Sequence, residues 1–145
     1  MIKKKEFPIS DSWITIRELT PLDYTIIPDI VGNVDENKKD SFADIALVRA
    51  CLVSRDVLID PSSKDSYDIK TKKVKVYDDE SDKKIDKDIE VYIPKKDKTQ
   101  KQNYEVLNNV QQIIDIQSEY SVSDWKIICS KVGELNEPNP ALLGK

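Results

Sequence analysis

Large apolar and polar residues alternate along Trp13-Ile14-Thr15-Ile16-Arg17, with β-branched side chains enriched, which predicts a short half-buried strand. Thr20-Pro21-Leu22-Asp23 follows with a hydroxyl for the N-cap, proline at the first helical position and an acid in the first turn. The helix it opens should run to about Ile27, where Pro28 stops or kinks it, with Gly32-Asn33 closing the unit. Asp40 or Ser41 caps a second expected helix, in which Phe42, Ile45, Ala46, Arg49 and Leu52 recur at helical spacing. Leu47, Val48, Ala50, Cys51 and Val53 widen its apolar surface, which predicts a central place in the core. The β-branched residues of Ile45 to Val53 would also suit a buried strand, but the alanines at 43, 46 and 50 favour the helix.

Asp60-Pro61-Ser62-Ser63 marks a break. Beyond it, Lys73 to Tyr77 and Asp88 to Ile93 alternate charge with β-branched or aromatic residues, and Asp78 to Lys87 lies between them as a polar connector. The pattern predicts an antiparallel hairpin with one apolar face and charged edges that resist sheet-to-sheet aggregation. Two strands alone are marginally stable, so this arm has to pack on the core or on a partner. Tyr104, Leu107, Gln111 and Ile114 then predict a helix of about four turns. Ser121-Val122-Ser123-Asp124 caps another, with Trp125, Ile128, Cys129 and Val132 on one face and Gly133 as its C-cap. The expected fold is α+β: a mainly helical body with a short N-terminal strand and a charged antiparallel β-hairpin in the middle. It forms a single domain over 1–145, with the hairpin insert at about 64–102 and a mobile tail from about 137.

Charge sharpens this division. The 145 residues carry 23 basic and 27 acidic side chains, a net charge of −4. Residues 64–102 hold 12 of the bases and 10 of the acids, so the middle is a near-neutral polyampholyte and the flanks are acidic. Interleaved acids make phosphate affinity weak, so no nucleic-acid partner is expected, and Tyr77 and Tyr92 read as strand packing. The most apolar stretch, Ile45 to Val53, carries Arg49 and is far shorter than a membrane span, and Glu6, Pro8, Ser10, Asp11 and Ser12 occupy the place of a signal-peptide apolar region. Cys51 and Cys129 lack a Cys-x-x-Cys partner and sit in apolar segments, as reduced core thiols of a cytoplasmic protein would.

The chain has no histidine and only three glycines, which excludes histidine catalysis, histidine metal ligation and a glycine-rich phosphate cradle. Asp35-x-Asn37 begins like a calcium loop, but Asp40 and Ala46 stand where it needs glycine and glutamate. Asp78, Asp79, Glu80 and Asp82 read as a flexible acidic turn. No cofactor, metal site or catalytic constellation is expected, and elimination leaves an interaction protein such as a chaperone, adaptor or assembly factor.

The order of segments adds a resemblance. Trp13-Ile14-Thr15-Ile16-Arg17-Glu18-Leu19-Thr20, then a helix, then Ala43 to Val53 ending in Ser54-Arg55-Asp56, resembles the tail assembly chaperones of long-tailed bacteriophages. Trp125 to Asn136, ending Val132-Gly133-Glu134-Leu135-Asn136, is similar to the family's closing helix. The likeness covers about half of the chain, and the charged middle departs from the compact family pattern. It implies a strand, a helical body and a segment leading to a short loop. It also implies a cytoplasmic, non-catalytic protein that binds the tape-measure protein, recruits tail-tube subunits and is absent from the finished virion. Family members also occur in a longer, frameshifted form, with which the terminal Gly144-Lys145 is compatible. The apolar faces that carry Trp13, Leu22, Ile26 and Trp125 are the expected partner-binding residues, holding the body together and leaving a stripe to cover aggregation-prone helices. Three alternatives stay open: a head-to-tail joining protein, an inhibitor of a host enzyme, and a small hydrolase with unmarked carboxylates. Homo-oligomerisation is also left open.

Overall fold

The computed structural model describes residues 1–137. Residues 138–145, most of the expected tail, lie outside the described residues. Two sheets and four α-helices make up the described chain. The first sheet is built from β1 (Lys4–Ile9), β2 (Ser12–Arg17), β3 (Leu52–Leu58) and a strand at Thr99–Asn103, β6 in chain order, all antiparallel and adjacent in that order. Between β3 and β6 the chain runs out into a long hairpin, β4 (Tyr67–Asp78) and β5 (Lys83–Pro94). The helices are α1 (Pro21–Val31), α2 (Lys39–Cys51), α3 (Val110–Ile116) and α4 (Val122–Leu135).

This corrects the expectation of a mainly helical body with a single short strand. β2 falls where alternation placed it, but it is an inner strand of a four-stranded sheet. Its inward face carries Ile14 and Ile16, both wholly buried, and both pack with Phe7, Ile9, Cys51, Leu52, Ile116, Ile128 and Val132. Removing one such isoleucine side chain from water contributes about 1.5–3 kcal/mol. A second cluster joins Ile27 and Val31 of α1 to Ala46 and Ala50 of α2, with Leu107 and Ile113. All helices therefore serve one face of the sheet or stack upon that layer.

Several boundaries differ for identifiable reasons. Pro28 does not end α1, because Ile27 and Val31, one on either side of it, are both buried against α2 and hold the next turn in place. α2 stops at Cys51, not beyond Val53, since Leu52 pairs with Ile16 and the chain passes straight from helix to strand. Ser54-Arg55-Asp56, expected in a loop, lies in the middle of β3. The four-turn helix around Tyr104 shrinks to the seven residues of α3, because Asn109 caps it by accepting from the Gln112 N–H at 3.0 Å. Ser121 caps α4 as expected, but the helix continues through Gly133 and closes at Asn136. The hairpin strands are longer than expected, twelve residues each, and the returning strand Thr99–Asn103 belongs to the body sheet. No helix among the described residues is long and apolar enough to cross a membrane.

One ion pair ties the sheet to the helical layer. Arg17 at the end of β2 donates two hydrogen bonds to Asp23 in the first turn of α1, at 2.8 and 2.9 Å, and the same carboxylate accepts from the Thr20 N–H at 2.7 Å. Burial pushes the Asp23 carboxyl upward, but the bonds from Arg17 and Thr20 outweigh it and hold the group below its ordinary value. A carboxyl depressed in the folded state adds stability above its unfolded pKa of about 3.9 and loses it as the pH falls through the lower folded value. Asp23→Asn should therefore destabilise the protein by roughly 2–4 kcal/mol at pH 7, since it strands a half-buried guanidinium. Urea titrations between pH 7 and 2.5 should show the two proteins converging as the pH falls below about 4, where the unfolded chain takes up a proton that the native carboxyl still refuses.

Candidate functional site

The apolar residues that sequence reasoning put forward do not form one surface. Trp13 faces away from the helices, on the side of β2 opposite Ile14 and Ile16, and its indole N–H donates to the Pro94 carbonyl at 2.6 Å. Lys96 stands over the Trp13 ring at 5.4 Å and pairs with Glu6 and Asp56, so Trp13 seats the base of the β4–β5 arm. Leu22, exposed at 65%, and half-buried Ile26 lie on the outside of α1. Trp125 stands alone of the four in packing against the main core, tilted over Tyr120 with ring centroids 6.3 Å apart.

Trp125 lines an apolar groove of about 260 Å³ where α2, α3 and α4 meet, shared with Ile45, Ile116, Gln117, Tyr120, Val122 and Lys126. Its walls are set locally. The Ser121 cap starts α4 so that Val122, 73% exposed, forms one lip and Trp125 the wall one turn on. Behind the groove lies a polar cluster that periodicity did not show. The Tyr104 and Tyr120 hydroxyls are hydrogen-bonded to each other, Arg55 stands 4.9 Å over the Tyr120 ring and Arg49 5.1 Å over the Tyr104 ring. Arg49 also donates to the Glu105 carbonyl at 2.9 Å, and Arg55 lies 3.7 Å from Glu119. These contacts fix the Tyr120 ring and so the floor of the groove. Nothing in the residue pattern signals that Tyr104 meets Tyr120, because the contact joins the segment before α3 to the turn between α3 and α4.

Other concavities are differently built. A larger one, about 610 Å³, is an open trough at the base of the arm lined by Ser10, Ser62, Ser63, Lys64, Tyr67 and Glu90 among others. A third, of about 240 Å³, gathers Glu105, Asp115 and Glu119, but Glu119 accepts from Tyr104 and Asp115 from Gln111 while Arg49 shares the same wall. Burial pushes the Cys51 thiol up to about 11, away from a reactive thiolate, and Cys129 is raised for the same reason. Both cysteines are free. No cluster with the makings of a metal site occurs among the described residues.

Comparison with models of known protein families, with curated proteins and with solved structures finds no match to this chain.

Burial raises both phenols of the cluster, and Tyr120 raises Tyr104 further by bonding to its neutral form. An acid whose folded pKa is raised adds stability that is complete below its unfolded value and is lost as the pH rises towards the folded one. Absorbance titration at 295 nm should thus show Tyr104 and Tyr120 ionising above the ordinary phenol value of about 10, together with loss of structure. Tyr104→Phe should cost about 1–2 kcal/mol by leaving the Tyr120 hydroxyl unpaired.

Proposed function

We propose that the chain is a non-catalytic phage tail assembly chaperone that holds tape-measure and tail-tube proteins during tail morphogenesis. The observation that carries the reading is the groove at Trp125: an apolar slot with an exposed aliphatic lip on a rigid helical frame, suited to a large apolar side chain from an amphipathic helix. A long helical partner before assembly exposes such side chains in series, and a shallow slot that covers them reversibly fits a factor that has to let go again. The segment resemblance supports the same reading. Its opening strand and first helix correspond to β2 and α1, and its closing helix to α4. β3 departs from the short loop that the resemblance implies. Lys126 at the groove mouth gives the slot a preference for partners with an acid beside the apolar anchor.

Tagged wild-type protein and Val122→Asp should be compared as bait in cells expressing the neighbouring late genes, with purified particles probed in parallel. Residue 122 is exposed, so the variant keeps the fold while placing a charge on the groove lip. Wild-type bait should enrich tape-measure and tube proteins at least tenfold over the variant, about 1.4 kcal/mol of binding, and should be missing from particles. Bait found as a stoichiometric particle component would replace this reading with a joining protein. Capture of a host enzyme alone would replace it with an inhibitor.

A further inference from the structure

The β4–β5 arm has two unlike faces. The register places Lys73 opposite Asp88 and Lys75 opposite Asp86, with Glu90 opposite Thr71, so one face sets two pairs of its own charges against each other. On the other face Lys70 lies opposite Val91, Lys72 opposite Ile89, Val74 opposite Lys87 and Val76 opposite Ile85. Over that span it carries five aliphatic side chains, three lysines and no acid. Its outer part stands free of the body: Val76 is 39% exposed, Ile85 46% and Ile89 39%. None of Lys70, Lys72 and Lys87 makes a salt bridge among the described residues.

A face of this kind fits an apolar ridge edged with carboxylates. Two arms stacked face to face would bring six lysines together, so the arm is not its own partner. The complementary surface is on the body. Outside residues 64–102 the chain has 11 basic and 17 acidic side chains. The exposed side of α1 aligns Leu22, Ile26 and Asp29 at helical spacing, and exposed Asp35, Asp40 and Asp44 follow in the chain, before and along α2. Of the two lysines there, Lys39 is paired with Glu36 at 3.0 Å, which leaves exposed Lys38 alone against those carboxylates. An arm cannot reach its own α1, because Trp13, Lys96 and Asp56 seat it on the side of the sheet opposite the helical layer.

We infer that the aliphatic, lysine-bearing face of the arm docks on the Leu22–Ile26–Asp29 face of α1 in a second copy of this chain. Donor and acceptor are different surfaces, so the contact is head-to-tail and each added copy leaves one of each open, building a ring or a chain of subunits. It makes no use of the groove and stands whether or not the groove binds a tail protein.

Sedimentation velocity from about 10 to 300 µM tests it with three full-length proteins: wild type, the arm variant Val76→Asp/Ile85→Asp and the acceptor variant Leu22→Lys. All three substitutions are at exposed positions. Wild type should grow beyond dimer with concentration, and raising salt from about 0.05 to 0.5 M should weaken it at least tenfold. Each variant alone should stay monomeric, while an equimolar mixture should form a dimer and stop, since it holds one intact arm and one intact acceptor face. Wild type that stays monomeric, variants that assemble like wild type, or a mixture that remains monomeric would each overturn the proposal.

Discussion

β2 is the constraint on which the rest depends. One strand supplies the wholly buried Ile14 and Ile16 to the helical side and Trp13 to the other, and its last residue, Arg17, anchors α1 through Asp23. A four-stranded sheet has two faces to satisfy, and here they are satisfied by unlike means. The inner face is covered by aliphatic packing from α2, α3 and α4. The outer face is polar, and the part around Trp13 and Asp56 is shielded by the foot of the arm through one indole hydrogen bond and the Lys96 ion pairs. The direction in which the arm leaves the body thus follows from which way Trp13 points.

What could be read from the residues was what local chemistry decides. Alternation exposed β2 and the hairpin, and capping chemistry placed the starts of α1 and α4. The three remaining strands are held by pairing and had no pattern of their own. β1 contains Pro8, which an edge strand tolerates because its outward backbone needs no donor. Its tight turn uses Ser10 at φ 50° where a glycine would have signalled a hairpin. β3 buries Ser54 and Asp56, which pair with Thr15 and Trp13, so its buried positions include polar ones that give no apolar alternation, and its helical upstream neighbour runs into it without a break. Thr99–Asn103 is polar throughout and is a strand because β3 offers it an edge.

The candidate site divides in the same way. Trp125 could be singled out as a large aromatic on an amphipathic helix, and the structure gives it a groove. The residues behind the groove could not, because Arg49 of α2, Arg55 of β3, Tyr104 and Tyr120 come together only once β3 is paired in the sheet and α2 packs against α3 and α4. Leu22 and Ile26 were grouped with the tryptophans as apolar residues of one body. Their position outside α1 separates them from both.

The arm answers two demands with the same side chains. A twelve-residue ribbon with two open edges and an aliphatic face is a template for uncontrolled strand addition, and lysines along it make edge-to-edge stacking of identical ribbons unfavourable. From Lys70 to Val76 and across to Ile85 and Val91 those lysines sit on the aliphatic face without carboxylates, with Asp68 and Asp78 only at its two ends, while Asp86, Asp88 and Glu90 lie on the other face, the first two opposite lysines. A ribbon designed only for solubility has no need of that segregation, since mixed charges on both faces would repel as well. Segregated charge gives direction: it rejects a like arm and accepts an acidic ridge, and it does so through encounter rate and register while the aliphatic side chains supply the contact energy.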